Sequence, residues 1–305
     1  MPVFQHRPAS VEDFPAIISL LPTVQLGCTR EAVLTHWQRW WQEGALSVGI
    51  VEAIEGNRPP VIASIGVTAW ISDDAVTQLH QTDDDVGSVA LYRTESKGNN
   101  WLLDQQQIEI GHAMCNLNLW IVHFWPDPDP TNPDFAALFV QSDTLFRELH
   151  DGFGVGRLIQ EIPAEFIPMM QSAGMRVTRP AESGRQHALV SLTRSDARNE
   201  PGSLMSFLFL KPPGTLGLKC AEQVMLGLAL QQLTDADIAA RMGYTRDYVR
   251  KLWLQVYDAL HASAALVHKQ MPDLRSNQRG PEKRRLALEF FRDHPEELRP
   301  GLRSR

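Results

Sequence analysis

The 305-residue sequence predicts an α+β domain over residues 1–210, followed by a small all-α helix-turn-helix unit. Three observations lead there. β-rich runs and amphipathic helical runs interleave from Pro2 to Thr193. Polar, proline- and glycine-bearing stretches (DARNEPG at 196–202, KPPG at 211–214) then break the pattern. Beyond them, residues 218–270 carry helical periodicity with explicit cap residues.

PVFQHRP (2–8) reads as a strand, and Ser10 with Asp13 three residues on caps a helix to Leu21. Thr29 opens a second helix to Glu43, ended by Gly44. Its Trp37, Trp40 and Trp41 read as aromatic wedges packing it on a sheet, in preference to a ligand box. SVGIVEAI (47–54) and PVIASIGVTAWI (60–71) form a hairpin, while 73–86 is acidic and 92–100 is polar with a loop-like SKGNN. NLNLWIVHFW (116–125) is a central strand ended by Pro126. The following PDPDPTNPD is a rigid loop, and Asn132 and Leu138 stand where an EF-hand needs glycine and glutamate. Helix 135–152, strand 157–162, helix 164–173, and strands 175–178 and 187–193 complete the domain. Residues 196–202 read as a linker and SLMSFLFL (203–210) as a last strand or docking segment.

In the all-α unit, Thr234 and Asp237 cap a helix over 235–242. Gly243 ends it, and Thr245 caps a second helix to Leu260. Ile238, Ala239, Met242, Val249, Leu252, Val256 and Leu260 fall on facing sides. Arg246, Tyr248, Arg250, Lys251 and Gln255 are left as the candidate DNA-contact set. Residues 271–305 read as a basic tail with a terminal helix over 282–294, where Lys283, Arg284 and Arg285 are either contacts to the DNA backbone or a solvated charge run.

With 43% hydrophobic residues and no run of eighteen apolar ones, the chain is expected to be globular, cytoplasmic and without a membrane partner. Cys28, Cys115 and Cys220 are scattered and form no disulfide framework. Residues 245–305 hold thirteen Lys and Arg against eight Asp and Glu, so +5 lies there and −12 on 1–244 of the total −7. His112 and Cys115 lack the second pair a metal site needs, and no metal or cofactor is expected. His80 and His150 read as solvated surface groups. Glu109 is a conceivable general base on the sheet, but no catalytic set is assigned.

Leu218, Glu222, Leu226, Leu233 to Ala239, Val249, Val256 and Leu260 resemble the DNA-binding domain of LuxR-type transcriptional regulators. Cys220, Gln232 and Leu252 depart from that family's usual proline, glycine and histidine. The resemblance implies a sequence-specific regulator of double-stranded DNA and a fourth helix over Ser263–Gln270. It also implies a homodimer, with Ala264, Ala265, Leu266 and Val267 at the two-fold contact. A small-molecule effector or RNA polymerase would be the further partner. The element order of residues 3–195 and the ending AEFIPMMQSAGMRV resemble the GNAT acyltransferase fold, which implies a mixed sheet with flanking helices. That family holds the acetyl-CoA pyrophosphate on backbone N–H groups opening the helix after the central strand. Here that place holds four prolines with Asp127, Asp129 and Asp134, and Gly152 to Gly156 read as helix-ending punctuation. The expectation is therefore a DNA-binding regulator whose first domain senses a ligand or partner. The alternatives are an N-acyltransferase using acetyl-CoA with a helical appendage, or a non-catalytic protein-interaction adaptor.

Overall fold

The computed structural model describes residues 2–56, 58–95, 97–98, 100–125, 133–182, 185–199, 203–210, 213–264 and 280–301. The chain divides into two compact units, Met1–Leu210 and Lys211–Arg305.

The first unit runs β1 (Val3–Pro8), α1 (Phe14–Leu20), α2 (Arg30–Gln42), β2 (Leu46–Ile54), β3 (Val61–Ile71), α3 (Asp73–Gln81), α4 (Gly87–Glu95) and α5 (Gln105–Ala113). It continues with β4 (Leu117–Trp125), α6 (Phe135–His150), β5 (Val155–Pro163), α7 (Ile167–Ser172), β6 (Arg176–Arg179), β7 (His187–Thr193) and α8 (Arg194–Asn199). The seven strands form one mixed sheet in the order β1-β2-β3-β4-β5-β7-β6. β4 and β5 are parallel and every other neighbouring pair is antiparallel. Because α6 is the crossover between β4 and β5, it must return across a face of the sheet, and it packs on β1, β2 and β3.

Local signals account for most of these elements. Asp13 accepts from both Ser10 N (2.7 Å) and Ser10 Oγ (2.9 Å), and Thr29 Oγ1 accepts from Ala32 N at the start of α2. Trp37 and Trp40 are fully buried, as wedges should be. Gly154 and Gly156 have a role beyond ending a helix: a Cβ on Gly154 would lie 2.1 Å from the His112 carbonyl oxygen, and one on Gly156 2.8 Å from Asn116 Cα. The two glycines flanking Val155 therefore let the start of β5 pass close to the backbone at His112 and Asn116.

Three stretches differ from their sequence reading. The stretch between β3 and β4, where no helix is read from the sequence, holds α3, α4 and α5. Ser72 Oγ caps α3 through Ala75 N, and Ala75, Val76, Leu79, Leu91 and Tyr92 are buried. Burial of a narrow apolar stripe outweighs the polar composition around it. The linker read over 196–202 begins inside α8. SLMSFLFL forms a 3-10 turn at Ser206–Phe209 with Leu208 and Phe209 buried, not a strand.

The second unit is all-helical: α9 (Cys220–Leu230), α10 (Asp235–Met242), α11 (Arg246–Ala264) and α12 (Gly280–Asp293), then a 3-10 turn at Pro295–Leu298. Thr234 and Asp237 cap α10 reciprocally, Gly243 turns the chain with φ +68°, and Thr245 Oγ1 accepts from Tyr248 N. Met225, Leu226, Ile238, Val249, Val256, Ala287 and Phe291 share one core. The described part of the segment read as a basic tail, 280–301, is thus built into the unit, because α12 supplies Ala287, Phe290 and Phe291 to that core. Glu297, almost fully buried, accepts from Thr215 N (2.8 Å), Thr215 Oγ1 (3.1 Å) and Leu216 N (2.9 Å), which ties the entry of the unit to its end. No helix among the described residues is long and apolar enough to cross a membrane.

Candidate functional site

The parallel pair β4–β5 begins at Leu117↔Val155 and its register ends at Ile121↔Gln160, although the strands continue to Trp125 and Pro163. Beyond Ile121 the two strands part. A cleft of about 70 Å³ opens at the divergence, lined on the strands by Ile121 to Phe124 and Gln160 to Pro163, and closed by Ser88, Phe166 and His187.

Successive side chains of β4 face opposite sides of the sheet, so the tertiary partners of His123 and Phe124 differ. His123 meets a buried chain in which Trp37 Nε1 donates to Tyr92 Oη (2.9 Å) and Tyr92 Oη lies 2.9 Å from His123 Nε2. Burial pushes His123 down to about 3, so it is a neutral ring that accepts from the tyrosine hydroxyl. Burial also raises the Tyr92 phenol, against the Trp37 hydrogen bond that favours its ionised form.

His187 opens β7 at the cleft. Its Nδ1 is 2.9 Å from Asp85 Oδ2, and the second Asp85 oxygen accepts from the backbone of Gln186 (2.5 Å) and His187 (3.0 Å). Burial raises Asp85, but the His187 backbone and ring bonds together outweigh it and hold the carboxyl below its ordinary range. A carboxylate on Nδ1 fixes the ring and leaves Nε2 as its remaining basic nitrogen. Beside it, Glu161 Oε1 accepts from Arg179 Nη2 (2.8 Å) and Oε2 from Gly87 N (2.7 Å), with both side chains buried. Burial raises Glu161 above the usual carboxylate value despite these partners.

The sequence-expected residues fall elsewhere. Glu109 lies on α5, exposed and held by Gln105 Nε2 at 3.2 Å, not on the sheet. His112 Nδ1 accepts from Gly154 N at 2.9 Å. His150 is buried rather than solvated, between Thr68 Oγ1 (2.8 Å) and Phe146 O (2.8 Å). In the second unit, Arg246 and Lys251 are exposed on α11 and Gln255 is half-buried. Arg250 is ion-paired with Asp247 at 3.1 Å, and the Tyr248 ring lies tilted against that of Tyr244 with centroids 4.6 Å apart. Arg284 pairs with Asp235 at 2.6 Å beneath the Trp253 ring, and Arg285 pairs with Glu282 and Glu289. Ala264 ends α11. Ala265, Leu266 and Val267, the rest of the expected fourth helix, and Asp127 and Asp129 of the proline-aspartate loop lie outside the described residues.

No protein-family model matches the chain, and no curated protein matches it. Solved structures do. An uncharacterised protein from Bacillus halodurans aligns at TM-score 0.38 and 9% identity over 68% of this chain and 93% of its own. A mutant form of the spermidine N-acetyltransferase SpeG from Vibrio cholerae aligns at 0.37 and 9% over 65% and 98%. FeeM, an N-acyl amino acid synthase from uncultured soil microbes, aligns at 0.35 and 13% over 64% and 95%. SpeG and FeeM are acyl-transfer enzymes. With these neighbours, the expectation of a sequence-specific DNA-binding transcriptional regulator, drawn from the helical motif, is corrected. A capped helix pair closed by a left-handed glycine is a packing solution that many helical units share, so it specifies its own geometry and not a ligand.

The sequence reading missed Asp85 and His187. They stand 102 positions apart, and no periodicity or spacing links them.

Proposed function

We propose that the first unit is an N-acyltransferase acting on an acyl thioester, acetyl-CoA being the simplest donor. The divergence of β4 and β5 carries this reading. Two parallel strands that stop pairing partway offer main-chain groups on their inner edges to an extended, amide-bearing arm, as a sheet edge does to an added strand. The thioester end of such an arm would reach the cleft floor, where His187 lies.

The reaction needs little more than a base and a dry, oriented carbonyl. The acceptor amine must be neutral to attack, and His187 Nε2, with Asp85 on the opposite nitrogen, takes its proton. The C–N bond forms, the C–S bond breaks, and the proton passes to the departing thiolate. Tyr92 and His123 buttress the cleft wall as neutral hydrogen-bonding groups.

The test is calorimetric titration of the full chain with acetyl-CoA, followed by thiol release with a panel of primary amines that includes polyamines and amino acids. Saturable binding and amine-dependent thiol release are expected. Absence of both at millimolar donor would overturn the reading.

A further inference from the structure

Beneath α6, on the sheet, lies a second and larger space of about 310 Å³. It shares Ile121, Phe124, Gln160, Met169 and Met170 with the cleft, so the two meet where β4 and β5 part. Its walls are aromatic and aliphatic, with Phe135, Phe139 and Phe146 from α6 and Met205 from the segment after α8. Of the polar side chains at its wall, Thr68 Oγ1 lies 2.8 Å from His150 and Asp143 Oδ2 accepts from Arg147 at 2.7 Å, while Asp143 Oδ1 is buried with no hydrogen-bond partner among the described residues.

The floor is made of two glycines side by side in the sheet, Gly49 of β2 paired with Gly66 of β3. Glycine within a strand weakens it and marks a place where something approaches the backbone closely. For Gly49 that something is Leu145, whose Cδ2 would lie 2.5 Å from an added Cβ. For Gly66 no atom of the described residues lies within 4 Å of that point, and the gap it leaves opens into the cavity.

We propose that this cavity receives the aliphatic chain of a medium-chain acyl donor whose thioester occupies the cleft. The inference rests on the acyltransferase reading and names its substrate class. An apolar cavity of about 150 Å³ accommodates benzene, so about 310 Å³ accommodates a chain of roughly ten to twelve carbons. A fully desolvated methylene is worth about fourfold in affinity, and binding losses reduce this.

The test is titration of the full chain with acetyl-, hexanoyl-, decanoyl- and hexadecanoyl-CoA and with free decanoate, alongside Gly66→Leu and the gentler Gly66→Ala. Affinity is expected to rise by about 100-fold or more from acetyl to decanoyl and then level off. Gly66→Leu should lower the decanoyl-to-acetyl affinity ratio by about 30-fold, with Gly66→Ala between it and the wild type. If all the CoA esters bind equally well, the chain pocket is refuted while the transferase reading stands. If only decanoate binds, and Gly66→Leu abolishes it, the thioester donor is refuted and the transferase reading falls with it. If nothing binds, both fall. The wild-type series decides the matter even where a variant does not fold.

Discussion

His123 gives the sharpest physical expectation. In the unfolded chain its imidazole titrates at the ordinary value of 6.5, while burial against Tyr92 pushes it down to about 3 in the native state. Between those values the unfolded chain binds a proton that the native state refuses, so stability falls as pH falls from 6.5 towards 3, and the full contribution is present above 6.5. From pH 7.5 to pH 5 the loss is about 2 kcal/mol, approaching about 5 kcal/mol near pH 3. His123→Gln keeps an oxygen that can accept from Tyr92 but cannot titrate, so it should abolish this component. Urea unfolding at the two pH values, followed by tryptophan fluorescence, gives the difference between wild type and variant and cancels the other carboxylates and histidines. A ring-proton NMR titration reads the same group directly. An equal pH loss in both proteins to within about 0.5 kcal/mol, or an assigned His123 resonance titrating near 6, would refute the burial argument.

Four further expectations follow from the same reasoning. His187→Gln should lower kcat for amine acylation by about 100-fold or more with donor affinity little changed, as steady-state kinetics and calorimetry would show. Gln232 adopts φ +64°, a left-handed conformation that strains a side chain, so Gln232→Gly should stabilise the second unit by about 0.5–1 kcal/mol in a urea melt. Glu297→Ala should destabilise that unit by about 3 kcal/mol, because the Thr215 and Leu216 donors lose a buried acceptor. Gly154→Ala should cost the first unit about 2–3 kcal/mol by thermal denaturation, since its methyl group would run into the His112 carbonyl, which the backbone cannot easily move.

Local chemistry was legible in the residues themselves. Ser10 with Asp13, Thr29, Thr234 with Asp237, and Gly243 announce caps and turns because each acts on backbone groups within a few positions. The β-rich runs and the Pro126 stop marked β2, β3 and β4 for the same reason. The segments that misled were those whose structure depends on distant surfaces: α3 and α4 look polar until Leu79, Leu91 and Tyr92 are seen to be buried, and α12 is legible as a helix but not as part of the core that Phe290 and Phe291 join.

The candidate site belongs wholly to that second kind. Only the sheet order brings Asp85 and His187 together, only the early end of the β4–β5 register opens the cleft, and only the pairing of Gly49 with Gly66 shows two unremarkable glycines to be a floor. What the sequence by itself determined was where the capped helices and most of the strands start and stop, because caps and turns act over a few residues. The tertiary structure alone decided which side chains face one another across the cleft, because that follows from long-range strand pairing and burial, which leave no trace in residue spacing.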